Sequence, residues 1–95
     1  MKSIRIKFEP FPEQLRGRIK SFAINKNHGE NYLIVIDSTR APIVQRFLLG
    51  HELAHVFRGH FEKSISIGFA EKDADRHAWQ YYRMYRDGLL EGVSA

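Results

Sequence analysis

Apolar and polar residues alternate along the first part of the chain with the period of β-strands. Residues 4–8 alternate apolar with basic side chains, which predicts a half-buried strand at a sheet edge. Residues 18–24 also resemble a strand, and residues 32–36 are nearly all apolar, as is typical of a central strand covered on both sides. Turn-forming residues 25–31 join these two strands into a hairpin. The pattern therefore predicts a short antiparallel sheet, made of the hairpin and the N-terminal strand.

The apolar period becomes that of a helix after the hairpin. Residues 37–39 (Asp-Ser-Thr) are three candidate N-caps and Pro42 suits a first turn, so a helix is predicted from about residue 41 to residue 57. Gly50 within it lowers the helix propensity by about 1 kcal/mol relative to alanine, which predicts that another part of the chain packs closely there. Gly59 is the expected stop of this helix.

A second helix is predicted from about residue 69 or 70 to residue 86. Glu71 and Asp73 would lie in its first turn, where negative charge is favourable. Residues 60–68 before it form a predicted loop with some extended character, and residues 89–95 after it show no clear pattern. The fold class is therefore α+β, with the short sheet packed on the two helices.

The composition limits the compartment and the chemistry. A chain of 95 residues predicts a single domain over residues 1–95. It has no cysteine, so any metal must be bound by His, Asp or Glu. We expect a cytoplasmic protein without a membrane partner, because there is no signal-peptide pattern and no long apolar run. The net charge of +4 mildly favours acidic partners and leaves nucleic acid possible.

The strongest chemical signal is the run His51-Glu52-Leu53-Ala54-His55 on the first helix. Two histidines four residues apart lie one turn above each other, so both imidazoles can reach one metal ion. Glu52, beside the first histidine, can then face a water molecule bound to that ion. The spacing predicts His51 and His55 as metal ligands and Glu52 as the catalytic group.

A catalytic zinc needs a third protein ligand and one open position. The downstream candidates are His60, Glu62, Glu71, Asp73, Asp75 and His77. On a continued helix, His60 would point away from His51, about 180° around the axis. Glu71 is better placed, because the intervening loop allows the second helix to cross the first. Asp75, one turn further, can accept a hydrogen bond from the far nitrogen of either ligand histidine. Asp73 faces elsewhere in that arrangement and is the fallback ligand.

Residues 11–78 resemble the small zinc metallopeptidases of the ImmA/IrrE type, relatives of the thermolysin-like gluzincins. The similarity lies in 15–17, 32–37, 47–55, His60-Phe61 and 71–78, where the last run resembles the pattern E-x-x-A-[ND]-x-x-A. The resemblance implies Glu71 as the third ligand and one Zn²⁺ per chain. His77 replaces a frequent phenylalanine, and this chain is shorter than most members. Such proteins are common in phages and mobile elements, where some cleave repressors.

The resemblance implies a zinc-dependent endopeptidase that cleaves a specific protein, such as a transcriptional repressor. Zinc would lower the pKa of its bound water to about 7, and Glu52 would take the water's proton and deliver it to the leaving amine. The choice of an oxyanion or substrate contact stays open among Arg58, His60, His77, Tyr81 and Tyr82. The alternative is a zinc-containing binding module that grips a regulatory protein or nucleic acid without cutting it.

Overall fold

A computed structural model describes residues 1–27, 29–62 and 64–94 and confirms the α+β class. The predicted hairpin turn therefore falls partly outside the described residues, at His28. The elements in chain order are β1 Ser3–Glu9, α1 Glu13–Arg16, β2 Ser21–Lys26, β3 Asn31–Asp37, α2 Pro42–Phe57, α3 Ile67–Arg86 and β4 Val93–Ser94.

The sheet is mixed, so the prediction of an antiparallel sheet holds only for the hairpin. Strands β2 and β3 pair antiparallel, with Ser21 opposite Ile36. Strand β1 pairs with β3 in parallel, with Ile4 opposite Tyr32. The physical reason is the path of the chain: after β1 it passes through α1 and returns along β2, on the far side of β3. Strand β3 then runs in the same direction as β1.

Strand β1 is also not at the edge of the sheet, where it was predicted. The strand order is β2-β3-β1-β4, because residues 93–94 form a short strand that pairs in parallel with Ile4 and Arg5. Gly92 leads into it with a φ of 79°, and its carbonyl accepts a hydrogen bond of 2.8 Å from the Ile4 amide. The expectation that residues 89–95 lack structure is therefore wrong for Val93–Ser94.

Helix α2 packs on the face of the sheet that carries the core. The core is one cluster of buried apolar residues, contributed by alternate positions of β1 and β3 and by α2. Its members are Ile4, Ile6, Tyr32, Ile34, Ile36, Leu48, Leu49, Leu53 and Val56. The predicted bounds of α2 are confirmed within one residue. The predicted caps are wrong, because the N-cap is Ala41, without a side-chain hydrogen bond.

Asp37 stabilises the turn before α2 instead of capping the helix. Its buried carboxylate accepts hydrogen bonds from the amides of Phe11 and Thr39, from the Thr39 hydroxyl and from Arg40 Nε. Burial alone would raise the pKa of Asp37, but the hydrogen bonds outweigh burial and lower the pKa to about 2. Asp37 is therefore a buried anion that ties the end of β3 to the segment after β1.

Helix α3 begins two or three residues earlier than predicted, at Ile67. Ser66 is its N-cap, and the Ser66 hydroxyl accepts a hydrogen bond of 3.1 Å from the Phe69 amide. Glu71 and Asp73 consequently lie beyond the first turn, and the extended character expected at 67–68 is absent. Within the described residues, no helix has a stretch long and apolar enough to cross a membrane.

Gly50 sets the distance between α2 and α3. A Cβ atom on Gly50 would lie 1.9 Å from the carbonyl oxygen of Ala78 and 3.1 Å from Tyr82 Cβ. The prediction that something packs closely against this glycine is confirmed. The close approach brings the first half of α3 across the two histidines of α2.

Candidate metal centre

The two histidines of α2 point toward α3 from the buried side of the helix. His51 Nε2 and His55 Nε2 lie 3.1 Å apart, as expected for residues one turn apart. Only 10% of the His51 side chain and 13% of the His55 side chain are exposed. The fold therefore holds two imidazole nitrogens side by side at the opening between the helices.

Glu71 of α3 completes a group of three converging ligand atoms. Its Oε1 lies 3.5 Å from His51 Nε2, and its Oε2 lies 2.6 Å from His55 Nε2. Ligands held tetrahedrally at about 2.1 Å from an ion lie roughly 3.4 Å apart, so a small shift of the carboxylate suffices for all three to bind one ion. The described residues contain this one group of three potential ligands with all atoms within 4.8 Å. Two imidazoles and a carboxylate fit a divalent metal.

Asp75 lies behind His51, one turn after Glu71. Its Oδ1 accepts a hydrogen bond of 2.8 Å from His51 Nδ1. That hydrogen bond places the ring hydrogen on Nδ1 and leaves the lone pair of Nε2 directed at the ligand group. The side chain of Asp75 is 60% exposed, so solvent reaches it.

His60 lies behind His55, although continued helical geometry would have turned it away from the ligands. The reason is that α2 ends at Phe57 and Gly59 adopts a φ of 74°, which reverses the chain. His60 Nδ1 lies 2.8 Å from His55 Nδ1, so His60 contacts the side of His55 remote from the ligand group.

Asp73, the fallback ligand, faces the loop after α2 and not the ligand group. Its Oδ2 lies 2.6 Å from Arg58 Nε and 2.7 Å from His60 Nε2. The hydrogen bond from the Arg58 guanidinium, helped by that from His60, lowers the pKa of Asp73 to about 2 against the opposing effect of burial. Asp73 is therefore a carboxylate anion held in place by the loop.

Glu52 is buried beside the ligand group and has one strong partner. Its Oε2 accepts a hydrogen bond of 2.6 Å from the Ser21 hydroxyl, at the start of β2. Burial raises the pKa of Glu52, and the hydrogen bond from Ser21 and the proximity of His51 oppose that shift. Sequence reasoning missed Ser21, because no spacing relates a residue of β2 to a residue of α2.

Two cavities meet at Glu52. One, of about 340 Å³, lies on the side of His55 and has apolar walls that include Phe22, Phe61 and Ile67. The other, of about 460 Å³, lies on the side of His51 and includes Arg18 and Lys20. Both are lined by Ser21, Glu52 and Glu71, so the two cavities adjoin at the ligand group.

The proposed oxyanion or substrate contacts have varied surroundings. His60 lines the cavity with apolar walls, but both of its ring nitrogens have partners. His77 Nδ1 donates a hydrogen bond of 2.8 Å to the Asp73 carbonyl. Tyr81 stacks on Phe57, and Tyr82 lines a separate cavity. These contacts do not direct any of the four residues at Glu52.

One comparison with known proteins matches most of the chain. The sequence model of Peptidase_M78, described as the IrrE N-terminal-like domain, matches residues 2–84. That range contains the histidine pair, Glu52, Glu71 and Asp75. Comparisons with curated proteins and with solved structures give no match. The family match supports a metallopeptidase-type function with a protein substrate, and the chain belongs to the IrrE N-terminal-like domain family of peptidases.

Proposed function

We propose that this single-domain protein is a zinc-dependent endopeptidase, with His51, His55 and Glu71 as ligands and Glu52 as the general base. The observation that carries the proposal is the convergence of three ligand atoms from α2 and α3 next to a buried carboxylate. Two histidines and a glutamate with one open position are a ligand set of catalytic zinc. A purely structural zinc site is usually closed by four protein ligands and has no use for a neighbouring carboxylate.

When bound, zinc supplies a water molecule with a lowered pKa and polarises the scissile carbonyl. The chain supplies the proton transfer. Glu52 accepts the proton of the attacking water on a carboxylate oxygen and then donates it to the leaving amine. Ser21 holds Glu52 Oε2 at 2.6 Å, which leaves Oε1 as the oxygen for this transfer. Burial of Glu52 supports the role, because a raised pKa makes the carboxylate a better base.

The outer edge of β2 is the proposed docking site for the substrate chain. Within the described part of the chain, β2 is an edge strand, and it begins at Ser21 beside Glu52. An extended peptide can pair with such an edge and place its side chains in the two adjoining cavities. One cavity offers apolar walls and the other offers Arg18 and Lys20. The resemblance to repressor-cleaving relatives supports a regulatory protein as the natural substrate.

The test compares Glu52→Gln with Glu13→Gln, a matched change at an exposed glutamate that lines neither of the two cavities. Each protein is loaded with zinc and incubated with a library of internally quenched peptides. We expect cleavage by the wild type and by Glu13→Gln, and none by Glu52→Gln, although all three bind one zinc ion. Cleavage by Glu52→Gln at the wild-type rate would show that Glu52 is not the base.

A further inference from the structure

A buried chain of polar side chains lies behind His55, and neither metal ligation nor proton transfer by Glu52 uses it directly. It runs from His55 Nδ1 to His60 Nδ1 over 2.8 Å, and from His60 Nε2 to Asp73 Oδ2 over 2.7 Å. The side chain of His60 is 4% exposed and that of Asp73 is 9% exposed. Two polar groups so well shielded from water, both outside the ligand set, need an explanation.

The direction of these hydrogen bonds follows from what binds at each end: a metal ion at His55 Nε2 and the carboxylate of Asp73. A metal ion on His55 Nε2 leaves the ring hydrogen on Nδ1, which must donate to His60 Nδ1. His60 Nδ1 then carries no hydrogen, so the neutral ring carries it on Nε2. That hydrogen points at Asp73 Oδ2, and an ionised carboxylate can only accept. Each ring N–H in the series from His55 through His60 to Asp73 thus meets an acceptor.

The opposite direction would block the metal site. If His60 Nδ1 donated to His55 Nδ1, the neutral ring of His55 would carry its hydrogen on Nε2, among the ligand atoms. A neutral His60 would also then turn an unprotonated Nε2 toward a carboxylate oxygen at 2.7 Å, with two acceptors facing each other. We propose that His60 and Asp73 form a directed relay that positions His55 as a metal ligand through Nε2. The proposal rests on the metal site of the proposed function.

Asp73 is itself fixed, which makes it suitable as the end of the relay. Arg58 Nε donates to the same Oδ2 over 2.6 Å, and His77 Nδ1 donates to the Asp73 carbonyl over 2.8 Å. Arg58 and His60 come from the segment after α2, whereas Asp73 and His77 belong to α3. The relay therefore ties the segment after α2 to the helix that supplies Glu71.

The two ligand histidines have different hydrogen-bond partners. The difference predicts which partner matters more for metal binding. Asp75, behind His51, is 60% exposed, so water can replace it as an acceptor. His60 is buried, so its removal leaves the Nδ1 hydrogen of His55 without a partner. We expect loss of His60 to weaken metal binding more than loss of Asp75.

The experiment measures zinc affinity by competition with a chromophoric chelator for the wild type, His60→Phe, His60→Gln and Asp75→Ala. We expect His60→Phe to bind zinc about 10–100-fold more weakly, the range found for partners of metal-ligating histidines. His60→Gln should bind within about fivefold of the wild type, because its side-chain carbonyl can accept from His55 Nδ1. Urea unfolding of the zinc-free variants separates a positioning role of His60 from a purely structural role. If the role were purely structural, His60→Phe would lower the free energy of unfolding, and His60→Gln would not restore it.

The outcomes separate the relay from the metal site. A wild type that binds no zinc overturns the metal site and the relay with it. A wild type that binds zinc while His60→Phe binds within about threefold of it overturns the relay alone. If His60→Phe does not fold, long-range ¹⁵N NMR of the zinc-loaded wild type decides. We expect a neutral His60 with hydrogen on Nε2, and an imidazolium or a hydrogen on Nδ1 overturns the relay.

Discussion

The close contact between α2 and α3 makes Gly50→Ala the most informative single change. The new Cβ would lie 1.9 Å from the Ala78 carbonyl oxygen, whereas real Cβ contacts essentially never fall below 3.0 Å. The two backbones must therefore separate by at least 1.1 Å, the difference between these distances. The obstacle is helix backbone, which cannot rotate away as a flexible side chain does.

The magnitude follows from two opposing effects. Overpacking a well-packed core costs typically 1–3 kcal/mol, and contact with backbone places this case at about 3 kcal/mol. Alanine recovers about 1 kcal/mol of helix propensity relative to glycine. We expect a net loss of about 2 kcal/mol in the free energy of unfolding, or roughly 8–16 °C in Tm for a domain of this size.

The same displacement should weaken metal binding, because α3 carries Glu71 and Asp75 as well as Ala78. Metal–ligand distances tolerate only about 0.2 Å of error, less than the movement that the new Cβ requires. Urea unfolding and zinc titration of Gly50→Ala measure the two effects. The matched control is Gly68→Ala in α3, where an added Cβ meets nothing within 4 Å. It should leave zinc affinity unchanged and raise stability by up to about 1 kcal/mol. If Gly50→Ala is as stable as the control and binds zinc equally well, the contact with Ala78 does not fix the distance between α2 and α3.

Three further predictions concern the metal, the buried anion and the base. With free zinc at 100–1,000 times its Kd, the free energy of unfolding should be about 2.7–4.1 kcal/mol higher than after removal of zinc with a chelator. A Tm that does not change when zinc is removed would contradict this. Asp37→Asn should lower the urea midpoint most at neutral pH. The pKa of Asp37 is lowered from 3.8 to about 2, so its stabilisation is complete above pH 3.8 and is lost as the pH falls toward 2. A difference between wild type and Asp37→Asn that stays constant from pH 7 to about 2.5 would oppose this account. Ser21→Ala should retain zinc and lower kcat roughly tenfold, because Glu52 loses the hydrogen bond that fixes its orientation, and this loss outweighs the gain in basicity; kcat equal to that of the wild type would show that Ser21 does not orient Glu52.

Local signals predicted the helices well and the sheet only in part. Pro42 and Gly59 bracket α2 in the sequence, and Gly50 indicated the contact that Ala78 makes. Strand alternation, by contrast, specifies which side chains face the core and not the direction of a neighbouring strand. The parallel pairing of β1 with β3 depends on the route of the chain between them, which no local pattern encodes. Strand β4 has two residues, too few for a period to appear.

In the candidate site, too, local spacing predicted some features, and others depend on the path of the chain. Helical spacing placed His51 beside His55 and Glu71 beside Asp75, and the structure brings these two pairs together. The role of His60 depends on a reversal at Gly59, which a helical extrapolation does not contain. The hydrogen bond from Ser21 to Glu52 joins residues far apart in the chain, so only the packed structure reveals it.

Metal content by mass spectrometry, on the purified wild type and on Glu71→Ala, shows whether His51, His55 and Glu71 bind a metal ion. We predict about one zinc ion per wild-type chain, held by two imidazoles and a carboxylate, and loss or strong weakening of that binding in Glu71→Ala. A wild type that takes up no zinc even after reconstitution, or a Glu71→Ala variant that retains zinc with unchanged affinity, would contradict it.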